Sequence, residues 1–177
     1  MPEQYTGLFS ALATTISTIT VANSNTETRL VGANLPIEFL APGTTFRILA
    51  FGTLSTKIIP VGVVTWRLRI GSTTLTGNIV TSIVPATGFN LVNQSWDAEF
   101  LVTIRTNGGS GTVIGNGSVI GNIGSVNGFL YTGSATSTPV AVNTTIQNVL
   151  ELTFQFATAN AANILNCYNA SIHRVKL

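Results

Sequence analysis

The chain has 177 residues and a mass of 18.6 kDa, with 45% hydrophobic and only 8% charged residues, eight Lys and Arg against six Asp and Glu. A soluble domain carries about 25% charge, roughly 44 residues at this length, so 14 charges leave most of the surface to the roughly 70 Thr, Ser, Asn and Gly residues. The hydrophobic content excludes a disordered chain, and a net charge of +2 without a basic run argues against a nucleic-acid partner despite a pI near 9.0.

The N-terminal stretch MPEQYTGLFSALATT carries Glu3 and no basic leader, so it does not read as a signal peptide. Within it Tyr5, Leu8, Phe9 and Leu12 fall at i, i+3, i+4 and i+7, one face of a short helix. So short a helix is marginal alone. Residues 1–13 are therefore expected as an arm, either frayed or ordered by packing on another subunit, ahead of one domain over residues 14–177. Mean hydropathy is +0.43, yet no run of about 18 apolar residues exists, so no membrane partner is expected.

Along the rest of the chain, glycines at 32, 43, 52, 62, 71, 77 and 88 separate short β-rich runs. Spacing of about 8–12 residues with turn signals marks an all-β sandwich or barrel. The clearest strands are Thr44–Thr56, Val63–Gly71, Ser95–Thr106 and Val149–Thr158. In the third, Trp96, Ala98, Phe100, Val102 and Ile104 alternate with Asp97, Glu99, Thr103 and Arg105. In the last, Leu150, Leu152, Phe154 and Phe156 alternate with Glu151, Thr153 and Gln155. Period two sends one row into a core and the other outward. Weaker strands are expected at Thr14–Val21, Glu27–Val31, Gly77–Val84, Thr112–Val119, Gly128–Thr132 and Ile164–Leu177. About ten strands and no long helix make a two-sheet antiparallel sandwich. Pro42-Gly43 and Asn107-Gly108 supply turns. The echo IGNGSV then IGNIGSV (Ile114–Val126) reads as a glycine-kinked β-segment, since no helix pattern follows to make it a phosphate loop.

Chemistry is sparse. His173 is the only histidine and Asp97 the only aspartate, and no serine lies in a GxSxG elbow. No metal-ligand spacing occurs, and the single Cys167 excludes a disulfide framework. A non-enzyme without catalytic residues, cofactor or metal is expected. Arg67 and Arg69 share one face of their strand, as Asp97 and Glu99 do on theirs. The two pairs are either complementary halves of a contact, within or between subunits, or are separately solvated.

The stretch ANSNTETRLVGANLPIEFLAPGTTFRILAFGTLST (Ala22–Thr56) resembles a pattern of small virion proteins of tailed bacteriophages. RLRIG (Arg67–Gly71), VTIRTNGGSGTVIGNG (Val102–Gly117) and a β-rich C-terminus follow in the same order. The resemblance covers nearly the whole chain, residues 1–13 excepted. It implies a jelly-roll-like β-sandwich, often trimeric, that decorates the capsid as a cement protein or serves in the tail or fibre. The implied partners are further copies of the chain, as a homotrimer, and the major capsid protein; the implied location is the virion. The alternative is a tail or fibre module that recognises host surface glycans, with Tyr131 or Tyr168 as its aromatic contacts. Tyr5, Leu8, Phe9, Leu12, Arg67, Arg69, Asp97 and Glu99 are the candidate subunit or capsid contacts.

Overall fold

Alternating apolar residues close two antiparallel sheets over one core. The computed structural model describes residues 9–56, 64–85, 90–123, 130–135 and 138–175. The strands are β1 (Phe9–Thr15), β2 (Ile19–Ala22), β3 (Thr28–Leu35), β4 (Thr45–Ser55), β5 (Val64–Gly71) and β6 (Asn78–Ile83). They continue with β7 (Gln94–Thr106), β8 (Gly111–Gly121), β9 (Leu130–Ala135), β10 (Val140–Val142), β11 (Asn148–Phe156) and β12 (Ile164–Val175). The small sheet has the order β3-β11-β5-β6. The large one runs β1-β12-β4-β7-β8-β10, with β2 also on β12 and β9 also on β8. The described residues are all-β, apart from one 3-10 turn at Ile37–Phe39.

The order is that of a jelly roll. Its eight strands are β1 (continued by β2), β3, β4, β5, β6, β7, β11 and β12, split as β1-β12-β4-β7 and β3-β11-β5-β6. First and last strands pair, and β8, β9 and β10 widen the large sheet beyond β7. Among the described residues no helix is long and apolar enough to cross a membrane.

The core joins the sheets through aromatic rings. Trp66 of β5 lies 5.6 Å from Trp96 of β7 across the sandwich and 5.0 Å, edge-on, from Phe154 of β11. Phe154 in turn meets Phe156 at 4.8 Å. All four are fully buried, as are Phe46 and Phe100, and such side chains contribute about 1.5–3 kcal/mol each. Cys167 is buried too, and burial pushes its thiol up to about 11, in keeping with an inert packing residue.

Two sequence signals have local explanations. Gly43 and Gly108 adopt φ of +86° and +110° at the turns before β4 and after β7, where a side chain is strained. The Ile114–Val126 echo begins in β8, through Gly121, and its Gly115, Gly117 and Gly121 face inward. A Cβ on Gly117 would fall 2.2 Å from the Phe100 ring, so the glycine lets that ring lie against the backbone.

Three expectations change. Residues 9–15 form a strand on β12 rather than part of a helix, because the open edge of β12 offers ladder hydrogen bonds that a short helix lacks. Leu12, at a bulge in that pairing, packs partly buried on the core. Tyr5 and Leu8 lie outside the described residues. The single strand expected over Thr14–Val21 is broken at Ile16–Thr18 into the end of β1 and β2. The short β10 falls in a stretch without a strand expectation.

Gly117→Ala is expected to destabilise the fold by about 1–3 kcal/mol through overpacking on Phe100, read by urea denaturation. Removing residues 1–12 takes four of the seven residues of β1 with Leu12. It is expected to cost about 1–2 kcal/mol, which calorimetry registers as a drop of about 2–8 °C; a free arm would leave the transition unmoved.

Candidate functional site

The outward rows of the two sheets differ in chemistry. On the small sheet, Glu27, just before β3, gathers the arginines of β5. Arg69 donates from Nε and Nη2 to Glu27 Oε1 and Oε2 at 2.7 and 2.9 Å, and from Nη1 to the Gly77 carbonyl at 2.8 Å. Arg67 donates to Glu27 Oε2 at 3.2 Å and to Gln155 Oε1 at 2.7 Å, while the Thr153 hydroxyl donates to Glu27 at 2.5 Å. The side chains of Arg67, Arg69 and Glu27 are only 20%, 14% and 17% exposed. Burial works against ionisation of Glu27, but the hydrogen bonds of Arg69 and Thr153 and the charges of both arginines hold its carboxyl below the usual carboxylate range.

Glu151 of β11 is the second carboxylate of this face, in register with Arg69. It is 1% exposed. Its Oε1 accepts the Leu75 N–H at 2.5 Å, and its Oε2 is buried with no hydrogen-bond partner among the described residues. Burial pushes its carboxyl up; the Leu75 N–H and the charges of Arg29 and Arg69 only partly oppose this, and Glu27 adds to it.

On the large sheet the register stacks outward side chains in rows. One row runs Asn169, Phe51, Asp97 and Ile120; the next Ser171, Leu49, Glu99 and Ser118; the next His173, Arg47, Leu101 and Asn116. Arg47 donates from Nε to Glu99 at 2.8 Å, with both side chains more than a third exposed. Asp97 is exposed and makes no hydrogen bond or ion pair among the described residues. Tyr168 bulges out of β12 beside Phe51, its hydroxyl 3.1 Å from Thr53 Oγ1. Phe51 and Tyr168 are 47% and 46% exposed. A shallow trough of about 510 Å³ is lined by Leu49, Phe51, Asp97, Glu99, Ser118 and Ile120.

A third surface lies at one end of the sandwich, where the loops 36–44, 72–77, 107–110 and 143–147 gather. Gly108 and Thr144 tie two of them together, Gly108 N–H to Thr144 Oγ1 at 2.7 Å and Thr144 N–H to the Gly108 carbonyl at 3.1 Å. Ile37, Leu75 and Ile146 stand out of these loops exposed, and Glu38 is the one charged residue in them.

The two charge pairs therefore lie on opposite outer faces and do not meet within a subunit. Arg67 and Arg69 are satisfied by Glu27, which sequence reasoning missed; the signal was the need of two adjacent arginines for a counter-ion. Glu99 pairs with Arg47, and Asp97 makes no ion pair among the described residues. Ser171 and His173 Nε2 are 2.9 Å apart, but Asp97 stands two strands away on β7, about 10 Å across the sheet. Among the described residues no group of three His, Cys, Asp or Glu side chains is placed to hold a metal.

No protein-family profile matches the chain, and no curated protein matches it significantly. Several solved structures are similar. Lectin I from Ulex europaeus, in complex with the methyl glycoside of α-L-fucose, is 10% identical over 94% of this chain and 91% of its own, with a TM-score of 0.44. The CBM2 module of the evolved Dit of Lactobacillus casei BL23 phage J-1 is 10% identical over 83% and 69%, with a TM-score of 0.38. The T13 viral particle of IBDV is 11% identical over 96% and 40%, with a TM-score of 0.28. The chain spans only 20% of the length of another, the insecticidal delta-endotoxin Cry8Ea1 from Bacillus thuringiensis, at 14% identity and a TM-score of 0.37. No function is carried over from any of them.

The two glutamates predict opposite behaviour. Glu27→Gln is expected to cost about 1.5–3 kcal/mol at pH 7, the range of hydrogen bonds to a charged group. The wild-type contribution of Glu27 is present above its ordinary pKa of 4.5 and fades as pH falls through its lowered value. The raised Glu151 acts the other way: its ionisation weakens the fold as pH climbs from 4.5 through the raised value. Glu151→Gln should leave stability at pH 7 unchanged or higher. Urea titrations from pH 3 to pH 8 separate the two.

Proposed function

We propose that the protein is a structural virion component, a capsid decoration (cement) protein of a tailed bacteriophage. In this reading it binds the outer surface of the major capsid protein shell as a homotrimer and stabilises the shell. The observation that carries the reading is the loop end, where Ile37, Leu75 and Ile146 are exposed, Glu38 is the one charged residue of the loops, and the Arg174 guanidinium of β12 lies over Phe39 at 4.5 Å. A docking surface with so few ions loses little to desolvation when buried, and each apolar side chain covered contributes about 1.5–3 kcal/mol. The sequence resemblance supplies the virion and the three-fold association.

One observation favours a second reading, a tail or fibre head that recognises host glycans. Phe51 and Tyr168 are exposed next to each other in register with Asp97 beside them, the combination of ring face and carboxylate that a sugar can stack on and hydrogen-bond.

A map of the parent particle should show the protein in many copies on the capsid surface; finding it only on the tail, with specific signals on a glycan array, selects the second reading. Ile37→Glu and Ile146→Glu are each expected to weaken attachment to capsids at least about tenfold, the equivalent of 1.4 kcal/mol, in a co-sedimentation assay.

A further inference from the structure

We propose that the outer edge of the large sheet, formed by β1 and β2, is a self-association site to which a second copy of this chain adds its own β1–β2 edge, antiparallel, about a two-fold axis. Both strands pair with β12, end to end, β1 along Ala170–Val175 and β2 along Ile164–Cys167. Among the described residues no strand pairs with their other side. Ala11, Thr14, Ser17, Thr18 and Thr20 are exposed there, and Ile16, in the gap between the strands, is 92% exposed.

Such an edge presents a row of unpaired N–H and C=O groups, and monomeric proteins block it with Lys, Pro, inward charges, bulges or very short strands. Residues 9–22, FSALATTISTITVA, contain no charge, no proline and no glycine. The bulge at Leu12 is the one device along β1, and it leaves Ala13–Thr15 regular. The small sheet's edges are treated differently. Thr15 Oγ1 donates to the Leu30 carbonyl on β3 at 3.0 Å, and Asn78 Nδ2 on β6 donates to the Ala141 carbonyl on β10 at 2.7 Å. Side chains thus tie both flanks of the sandwich, β1 itself being held to β3 at Thr15, and among the described residues no strand covers the rest of the β1–β2 edge.

A second copy is the occupant that this edge matches best. Two identical edges meeting antiparallel satisfy each other's backbone groups in a closed, isologous contact. With no charge on either, the copies do not repel, and the β-branched Thr14, Thr18 and Ile16 supply favourable cross-strand pairs. The contact is independent of the virion reading. Should the three-fold association also form, it uses another surface and the assembly contains six chains.

The experiment uses the purified full chain without any capsid. Light scattering is expected to give about twice 18.6 kDa, and hydrogen exchange of amides between Ala11 and Thr20 should slow as concentration rises. Ala11→Lys with Thr14→Lys, both at exposed positions, is expected to return the mass to that of one chain with the melting temperature unchanged. Thr18→Lys, in the gap, should weaken pairing by at least tenfold. A wild-type chain that is monomeric at every concentration reached overturns the proposal, even if its edge then takes a strand from a capsid protein. An assembly whose mass the lysine substitutions leave unchanged overturns it too. Neither result touches the location of the protein in a virion, which the particle map decides.

Discussion

The tilted contact of Trp66 with Trp96 across the sandwich fixes which way every other residue of β5 and β7 points. Once those two indoles face inward, period two sends Arg67 and Arg69 out of one side of the molecule and Asp97 and Glu99 out of the other. A slip of one residue in either strand would bury these charges and expose the aromatic rings. The inner order and the outer chemistry are therefore one constraint, imposed by the cost of burying an unpaired charge.

The scarcity of charge shapes how the outer surfaces are used. Five of the 14 charged residues, Glu27, Arg29, Arg67, Arg69 and Glu151, are spent on the small sheet. There Glu27 binds Arg67 and Arg69, Glu151 binds the loop at Leu75, and Arg29 stays exposed. The large sheet keeps Arg47, Asp97 and Glu99 among Leu49, Phe51, Leu101 and Ile120. The loops at the end carry Glu38, and Arg174 of β12 lies over their Phe39. Most of what remains uncovered is neutral, and neutral surface is cheap to dehydrate against another protein.

The jelly-roll order explains why exposed features concentrate where they do. Pairing of first and last strands leaves β1 and β2 on the rim of the large sheet, and the insertion β8–β10 widens the opposite rim. The crossings between sheets collect loops at the ends, where backbone turns need Gly43, Gly108 and their neighbours and where Ile37, Leu75 and Ile146 have no core to enter. Fold alone does not dictate function; these positions are what this fold makes available.

Much was legible in the chain before any coordinates. The alternation in Trp96–Ile104 and in Leu150–Phe156 specifies strands with one apolar face, and glycine spacing with so little charge specifies an all-β sandwich. These are local properties, set by the pleat and by turn chemistry. The partner of Arg67 and Arg69 was not legible, because Glu27 lies 40 residues away and reaches them only after β3 and β5 both pair with β11. The fate of Phe9–Thr15 was hidden too: its helical spacing is real, but the open edge of β12 outweighs a helix too short to stand alone. Sequence by itself determined the strands and their inward faces, since a strand's two faces follow from its own residues. Only tertiary structure decided which outward residues meet and which edge stays open, since both depend on strands distant in the chain coming to lie side by side.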